Sequence, residues 1–452
     1  MTTTRDIYKL FLQHPHISTD TRKIARDSLF FALKGDKFDA NTFAKQAIAA
    51  GAAYALIDNP AYRLGEKYIL VDDVLTTLQD LARYHRSQLT IPVIGLTGTN
   101  GKTTTKELIN SVLSQHFKTL ATQGNLNNHI GVPLTVLSIN SSHEIAVIEM
   151  GANHQKEIEL LCTIAQPTHG LITNVGKAHL EGFGGVEGVK KGKGELYDYL
   201  ASKSESRKVR KSERQKDTGV AFVNSDNAVL LEMQEARGLK NVIYYGTSTD
   251  KNLVSGSIVD NAPYLSFQWT NNNSRESYPI KTQLTGAYNL DNILAAICIG
   301  VYFELDSDEI NRGIEGYQPQ NSRSQIVQTA TNTLICDYYN ANPSSMFSAI
   351  ENMSQINADK KVLILGDMFE LGTEAATEHA AVIKKAADSP ADERIFIGKE
   401  FFAAGHPGLP GSTFYQTVEE AVAKLKSKSI KNATILIKGS RGMALERLAE
   451  LF

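Results

Sequence analysis

The stretch "GLTGTNGKTTTKE", Gly95 to Glu107, sets Gly98, Thr99, Asn100, Gly101, Lys102, Thr103 and Thr104 between an apolar run and an amphipathic one. A Gly-rich turn of this kind exposes backbone N–H groups to an anion, and a following helix aims its positive end at the same point. A Lys and a hydroxyl residue closing such a turn meet a nucleotide's outer phosphates and a Mg²⁺ ion, roles that fall here to Lys102 and Thr103. The strict pattern asks for Gly at 96, where Leu96 stands, and Gly95 is read as beginning the turn one residue earlier. The competing account is a fortuitous Gly-rich turn.

Other chemistry-bearing residues close apolar runs. Glu149 ends "IAVIE", and the carboxyl ends of parallel strands gather along one edge, where a carboxylate can ligate Mg²⁺. The plainer alternative is an ordinary surface Glu. "GLITNVGKAHLEGFGG" brings Asn174 and His179 to that edge, although a lone His is more often structural. Lys193, in "KKGKGELYDYL", reads by itself as the solvated start of a helix. "DYYNANPSS" places Asp337, Asn340, Asn342 and Ser344 in a turn-rich loop after a strand. Turn chemistry alone accounts for Asn, Pro and Ser there, so a functional role requires that this loop face the phosphate loop across a cleft.

At 452 residues, the chain that positions these groups calls for about three domains. Residues 1–85 read as a small α/β unit. Residues 86–317 alternate strand and helix, the pattern of a parallel sheet covered on both faces. The alternation restarts after "NSRSQ", so residues 318–452 read as a Rossmann-like domain. A formal charge of -2 gives no reason to expect nucleic acid or an anionic membrane as partner. Cys162, Cys298 and Cys336 lack C-x-x-C spacing and sit in apolar segments, as structural thiols of a reducing compartment do. With neither a secretory signal nor an apolar run of about 18 residues, a cytoplasmic location is expected. The basic run Lys203 to Asp217 reads as a solvated insertion.

Taken together, these stretches resemble the Mur ligase family, the ATP-dependent amide-forming enzymes of peptidoglycan synthesis. The resemblance covers nearly the whole chain. Its motifs include "STDTR", "GTNGKTTTKE", "TQGNLNNHIGVPLT", "IEMGANHQKEI", "ITNVGKAHLEGFGG", "GKGEL", "GAYNLDN", "DYYNANPSS", "LGDMFELG" and "IKGSRGMALE". "TQGNLNNHIGVP" and "EMGANH" point to the dipeptide-adding members. The resemblance implies ATP and Mg²⁺ as cofactors, and UDP-N-acetylmuramoyl-tripeptide and D-alanyl-D-alanine as substrates. It also implies an acyl phosphate intermediate and an α/β architecture of three domains, for UDP-sugar, ATP and incoming dipeptide; a monomer is expected.

By the same resemblance Lys102 binds phosphate, and Thr103 and Glu149 hold one Mg²⁺. His179 and Lys193 serve a second metal, Lys193 as a CO2-derived carbamate. Asn289 and Asn292 contact adenine, Arg323 the nucleotide and Asp337 the ribose region. Thr19, Asp20, Thr21 and Arg22 fall in the UDP-sugar pocket, Asn125, Asn127 and Asn128 near the muramoyl peptide, and Asn340, Asn342 and Ser344 at the dipeptide. Tyr288 replaces a frequent His, and "DAN" (Asp39 to Asn41) replaces a common "DGH", which leaves fine substrate contacts open. Folylpolyglutamate synthase is the rival within the superfamily, and a P-loop switch without ligation is the rival outside it.

Overall fold

The computed structural model describes residues 3–206, 219–261, 263–320, 322–405, 408–428 and 430–452; most of the basic run 203–217 lies outside these described residues. The chain opens with α1 (Thr4–Gln13), β1 (Ile17–Ser18), β2 (Leu29–Phe31), the hairpin β3 (Lys34–Gly35) and β4 (Phe38–Asp39), and α2 (Ala44–Ala49). It continues through β5 (Tyr54–Ile57) and β6 (Tyr68–Leu70) into α3 (Val74–Gln88). The strands β1-β2-β5-β6 form an all-parallel sheet in that order. Asp73 starts α3 by accepting the Thr76 N–H at 2.6 Å, satisfying a donor that the first turn leaves unpaired.

The central unit begins with β7 (Val93–Thr97), α4 (Lys102–Leu113), β8 (Thr119–Ala121), α5 (Gly131–Leu137), β9 (Ile145–Glu149) and α6 (Glu157–Ala165). Next come β10 (His169–Ile172), α7 (Leu180–Phe183), α8 (Val186–Ser206), β11 (Val220–Asn224), α9 (Ala228–Ala236) and β12 (Asn241–Gly246). It ends with β13 (Asn252–Asp260), β14 (Ser266–Asn271), β15 (Glu276–Lys281), α10 (Asn289–Tyr302) and α11 (Ser307–Glu315).

Its nine strands run β8-β9-β7-β10-β11-β12-β13-β14-β15. β7, β9 and β10 are buried along their whole length, as strands covered on both faces must be. Leu108, Val112 and Leu113 of α4 are buried against one face with Ile293 and Ile297 of α10. Leu161 of α6 and Leu196 of α8 are buried in the cluster on the other. The expected parallel sheet holds through β13 and then changes: β13, β14 and β15 are antiparallel. Short turns join these strands, and β14 alternates buried Phe267 and Trp269 with exposed Gln268, the pattern of a sheet with one wet face.

The third unit comprises β16 (Gln325–Gln328), β17 (Asn332–Asp337), α12 (Pro343–Gln355), β18 (Lys361–Gly366), α13 (Ala375–Ala387) and β19 (Glu393–Ile397). It closes with α14 (Lys399–Ala404), β20 (Ser412–Tyr415), α15 (Val418–Leu425), β21 (Ala433–Lys438) and α16 (Glu446–Ala449). Its sheet order is β16-β17-β21-β18-β19-β20, parallel except for the edge strand β16. The carboxyl ends of β17 and β21, Asp337 and Lys438, therefore lie side by side. One buried apolar cluster includes Leu78 of α3, Ile148 of β9 and Met346 of α12, so the units share packing. Among the described residues no helix is long and apolar enough to cross a membrane.

Candidate active site

The strand β7 runs on through Thr97, and the chain turns at Gly98 (φ 151°) and Gly101 (φ 77°). A Cβ at Gly98 would collide with Thr173, and one at Gly101 with the Asn292 side chain. Gly95 lies inside β7, where a Cβ would meet Met150 at 2.8 Å and Pro167 at 3.0 Å. Its small size serves sheet packing, which corrects the expectation that it begins the turn. The segment after β10 braces the loop: Asn174 accepts the Asn100 N–H at 2.9 Å and donates to the Asn100 carbonyl at 3.1 Å. Thr99 Oγ1 accepts the Gly176 N–H at 2.9 Å.

Lys102 Nζ donates to the carbonyls of Gly98 (2.8 Å) and Thr99 (3.1 Å). Burial lowers its pKa below the usual lysine value; Glu149 opposes the shift and Arg323 adds to it. Glu149 is only 1% exposed and is no ordinary surface residue. Its carboxylate accepts from Thr103 Oγ1 at 2.9 Å and from Asn127 Nδ2 at 2.8 Å.

The loop after β17 faces this one across a cleft. Asn342 Nδ2 donates to Asn100 Oδ1 at 2.7 Å, and Ser344 Oγ accepts the Lys177 N–H at 3.2 Å. Asn342 also accepts the Ser345 N–H at 2.9 Å, starting α12, so one side chain caps a helix and touches the phosphate loop. Asp337 is held by Lys438 Nζ at 2.6 Å and by the Ser324 N–H at 3.2 Å. Arg323 stacks its guanidinium 3.8 Å from the Tyr339 ring centre, and its buried Nε has no hydrogen-bond partner among the described residues. Asn292 accepts from Thr105 Oγ1 at 3.0 Å and donates to Asn289 Oδ1 at 2.9 Å; Asn289 donates to the Thr285 carbonyl at 2.8 Å.

The cleft between the two loops holds about 750 Å³. Thr99 to Thr104, Asn125, Asn127, Asn128, Glu149, His179, Asn289, Asn292, Arg323, Asp337, Asn340, Asn342 and Ser344 all line it.

Comparison with known proteins covers the whole assembly. Residues 15–86 match the description "Mur ligase family, catalytic domain", residues 96–300 "Mur ligase middle domain" and residues 322–441 "Mur ligase, glutamate ligase domain". The UDP-N-acetylmuramoyl-tripeptide–D-alanyl-D-alanine ligase of Bacillus subtilis is 34% identical, across 96% of this chain and 92% of that one. The enzyme of the same name from Escherichia coli is also 34% identical, with the same coverage. A crystal structure of MurF from Acinetobacter baumannii superposes with a TM-score of 0.83 at 32% identity, covering 96% of this chain and 92% of that one. The chain belongs to the Mur ligase family.

In this Mur ligase, Lys193 is not the solvated helix start that its neighbours suggest. It lies within α8, 2% exposed, with Nζ 3.3 Å from the Ala152 carbonyl and 5.2 Å from the Phe183 ring centre. Burial drives its pKa well below the usual lysine value, and the Lys102 charge adds to this; Glu157 and Glu195 oppose it. The Gly-rich sequence that looks solvated is what permits this burial. A Cβ at Gly188 or Gly192 would strike Phe183, and one at Gly194 would strike Arg237. His179, at φ 51°, meets Glu370 of the third unit through Nδ1. Burial lowers its pKa, Glu370 opposes that, and the Lys102 and Lys193 charges add to it.

The remaining expected residues separate. Thr19 to Arg22 do not line the Mur ligase cavity. Asp20 accepts the Arg22 backbone N–H at 3.0 Å and pairs with its guanidinium at 2.7 Å, which holds the Asp20 carboxyl down at about 2. Asn128 Oδ1 accepts the Ile130 and Gly131 N–H groups at 3.1 and 2.9 Å, at the start of α5. Asn41 of "DAN" is buried, donating to Asp39 at 2.6 Å and Asp58 at 2.8 Å, so this departure serves an internal hub. Tyr288 OH shares a 2.8 Å hydrogen bond with Ser324 Oγ. Lys438 and Tyr339 line the cavity and escaped the sequence reading. Lys438 carries the signal that marked Glu149, a charged residue ending an apolar strand.

Proposed function

We propose that this Mur ligase joins D-alanyl-D-alanine to UDP-N-acetylmuramoyl-tripeptide, with ATP converted to ADP and phosphate. The relatives from Bacillus subtilis and Escherichia coli are named for that reaction. The observation that carries the reading is the 2.7 Å bond from Asn342 to Asn100, which sets a phosphate loop and a polar third-unit loop around one cavity. Three domains, 1–85, 86–317 and 318–452, supply the sites for UDP-sugar, ATP and dipeptide, in a cytoplasmic monomer.

A carboxylate is a poor electrophile until phosphate becomes its leaving group. The γ-phosphoryl group passes to the terminal carboxylate oxygen of the tripeptide, releasing ADP. The free amine of the dipeptide then attacks the acyl carbon, the tetrahedral intermediate expels phosphate, and the amine proton leaves to solvent. Protein chemistry is mostly positioning and charge neutralisation. Lys102 turns from its own loop carbonyls to the phosphates, and Arg323, whose Nε has no partner among the described residues, meets the nucleotide. Asn289 and Asn292 face adenine, Asp337 the ribose, Asn125, Asn127 and Asn128 the peptide, Thr19 to Arg22 the UDP-sugar, and Asn340, Asn342 and Ser344 the dipeptide.

The donors present suit Mg²⁺, which takes oxygen ligands and keeps waters and phosphate oxygens of its own. The Thr103 hydroxyl and the Glu149 carboxylate, 2.9 Å apart, would hold one ion, with His179 and a carbamate on Lys193 serving a second. Mg²⁺ supplies neutralisation of phosphate charge when bound. Burial favours the neutral Lys193 amine, the form that adds to CO2 and then sheds one proton, and the product offers anionic oxygens where an ammonium would repel a cation.

The test is phosphate release from ATP in the presence of UDP-N-acetylmuramoyl-tripeptide, with and without D-alanyl-D-alanine. Dipeptide-dependent release with a pentapeptide product is the expected result. Release that ignores the dipeptide would overturn the reading.

A further inference from the structure

We infer that Lys177 and Glu378 form a latch that seats the third unit on the central one and so positions the incoming amine, an inference that rests on the ligase reading above. Lys177 Nζ lies 2.5 Å from Glu378 Oε1 across the boundary between the units. The Glu378 side chain, on α13, is 5% exposed, and among the described residues Lys177 is its one hydrogen-bonding partner. A buried carboxylate is strongly unfavourable without its partner, so this seating is favoured over others that separate the pair. The Lys177 side chain is 51% exposed and carries a flexible stem, which lets the contact form and release.

Both ends of the latch reach the cavity through short, fixed connections. On the central side Lys177 follows Asn174 and Gly176, which brace Asn100 and Thr99, and its own backbone N–H donates to Ser344 at the start of α12. One residue thus engages two helices of the third unit. On the other side, His379, next to Glu378, accepts the Met368 N–H at 3.0 Å through Nε2. Its Nδ1 lies 2.7 Å from the Ala375 carbonyl. These bonds tie α13 to the loop that bears Glu370, the residue meeting His179. Lys177 and Glu378 are positioning residues: neither lines the cavity.

The experiment compares wild type, Lys177→Met, Glu378→Gln and the double variant. Each single change is expected to raise the KM for D-alanyl-D-alanine about tenfold, between the effects of an exposed and a fully buried pair. The KM for ATP and kcat should stay within about threefold. The double variant should be no worse than either single one, because the two changes remove one interaction. Small-angle scattering with a non-hydrolysable ATP analogue should show a larger radius of gyration for both single variants than for wild type. This arm needs no turnover, so it stands even if the ligase reading fails. An unchanged dipeptide KM in Lys177→Met, or additive effects in the double variant, overturns the latch while leaving the ligase reading intact. If Glu378→Gln does not fold, Lys177→Met decides alone, since its side chain is half exposed.

Discussion

Two lysines mark the candidate site of this Mur ligase, Lys102 half-buried in its lining and Lys193 buried behind it, and their surroundings differ. Lys102 starts α4 behind a glycine turn, with two carbonyls of its own loop at hydrogen-bond distance and Glu149 opposing the loss of its charge. Lys193 sits within α8 with one carbonyl, an aromatic face and a positive charge from Lys102 against it, offset by Glu157 and Glu195. Burial pushes both toward the neutral form. The Lys102 environment offers acceptors that keep an ammonium tolerable until phosphate oxygens replace them. Lys193 is more deeply buried and has one carbonyl at 3.3 Å, and its pKa lies well below the usual lysine value, which suits an amine that reacts with CO2. The two residues share a type, but only Lys102 lines the cleft, and their loop and helix contexts compensate a positive charge in different ways.

The largest expected effect separates them at once. Lys102→Met should lower ligation by about 10³-fold or more, as loss of a preorganised charge at a transferring phosphoryl group does, and should weaken ATP binding measured calorimetrically. Lys193→Ala should cost about 10²-fold, the scale on which second-site electrostatics act, with ATP binding retained. Short carboxylic acids such as acetate or propionate should restore part of the Lys193→Ala activity, since they return the missing anionic oxygens, and should do nothing for Lys102→Met. Equal rescue of both variants would break the comparison. A smaller effect tests the carbamate in the unaltered protein. Removing dissolved CO2 at mildly acidic pH, where carbamates decompose, should lower the rate several-fold, and bicarbonate should return it. Insensitivity to this cycle would assign Lys193 some role other than a carbamate.

The contrast between the lysines also marks where sequence stops being informative. The Lys102 loop is legible because its chemistry is local: turn glycines, a following helix and a hydroxyl residue all fall within a few positions. Even there Gly95 misleads, since the reason for its size lies in Met150 and Pro167, which only the folded sheet brings near. Glu149, Asn174 and Asp337 are legible as polar residues following apolar runs, because strand ends collect on one edge. Lys193 is not, because what makes it unusual is the packing of Phe183 against Gly188 and Gly192 on one face of α8 and of Arg237 against Gly194 on another. The antiparallel β13–β15 escaped for a related reason: Phe267 and Trp269 turn inward onto a core that only the folded sheet assembles. Asn127 lines the cavity, and what its sequence context does not show is that its amide also donates to Glu149, a partner 22 residues away.

The smallest expected effect isolates Glu195, which acts on one lysine of the pair. Glu195 is buried, and its two oxygens accept the Lys156 N–H at 2.6 Å and the Glu159 N–H at 2.9 Å, satisfying donors at the start of α6. It also opposes the loss of charge on Lys193, and it has no comparable influence on Lys102. Glu195→Gln keeps the shape and one acceptor while removing the charge. Thermal unfolding should therefore report a loss of about 1–2 kcal/mol, the scale of a weakened charge-assisted helix cap. Lys193 should move further toward its neutral form, so with bicarbonate in excess the ligation rate should stay within about threefold of wild type. ATP affinity should not change. If ATP affinity fell with the rate, the two lysines would share one electrostatic environment, and the contrast between their surroundings would fail.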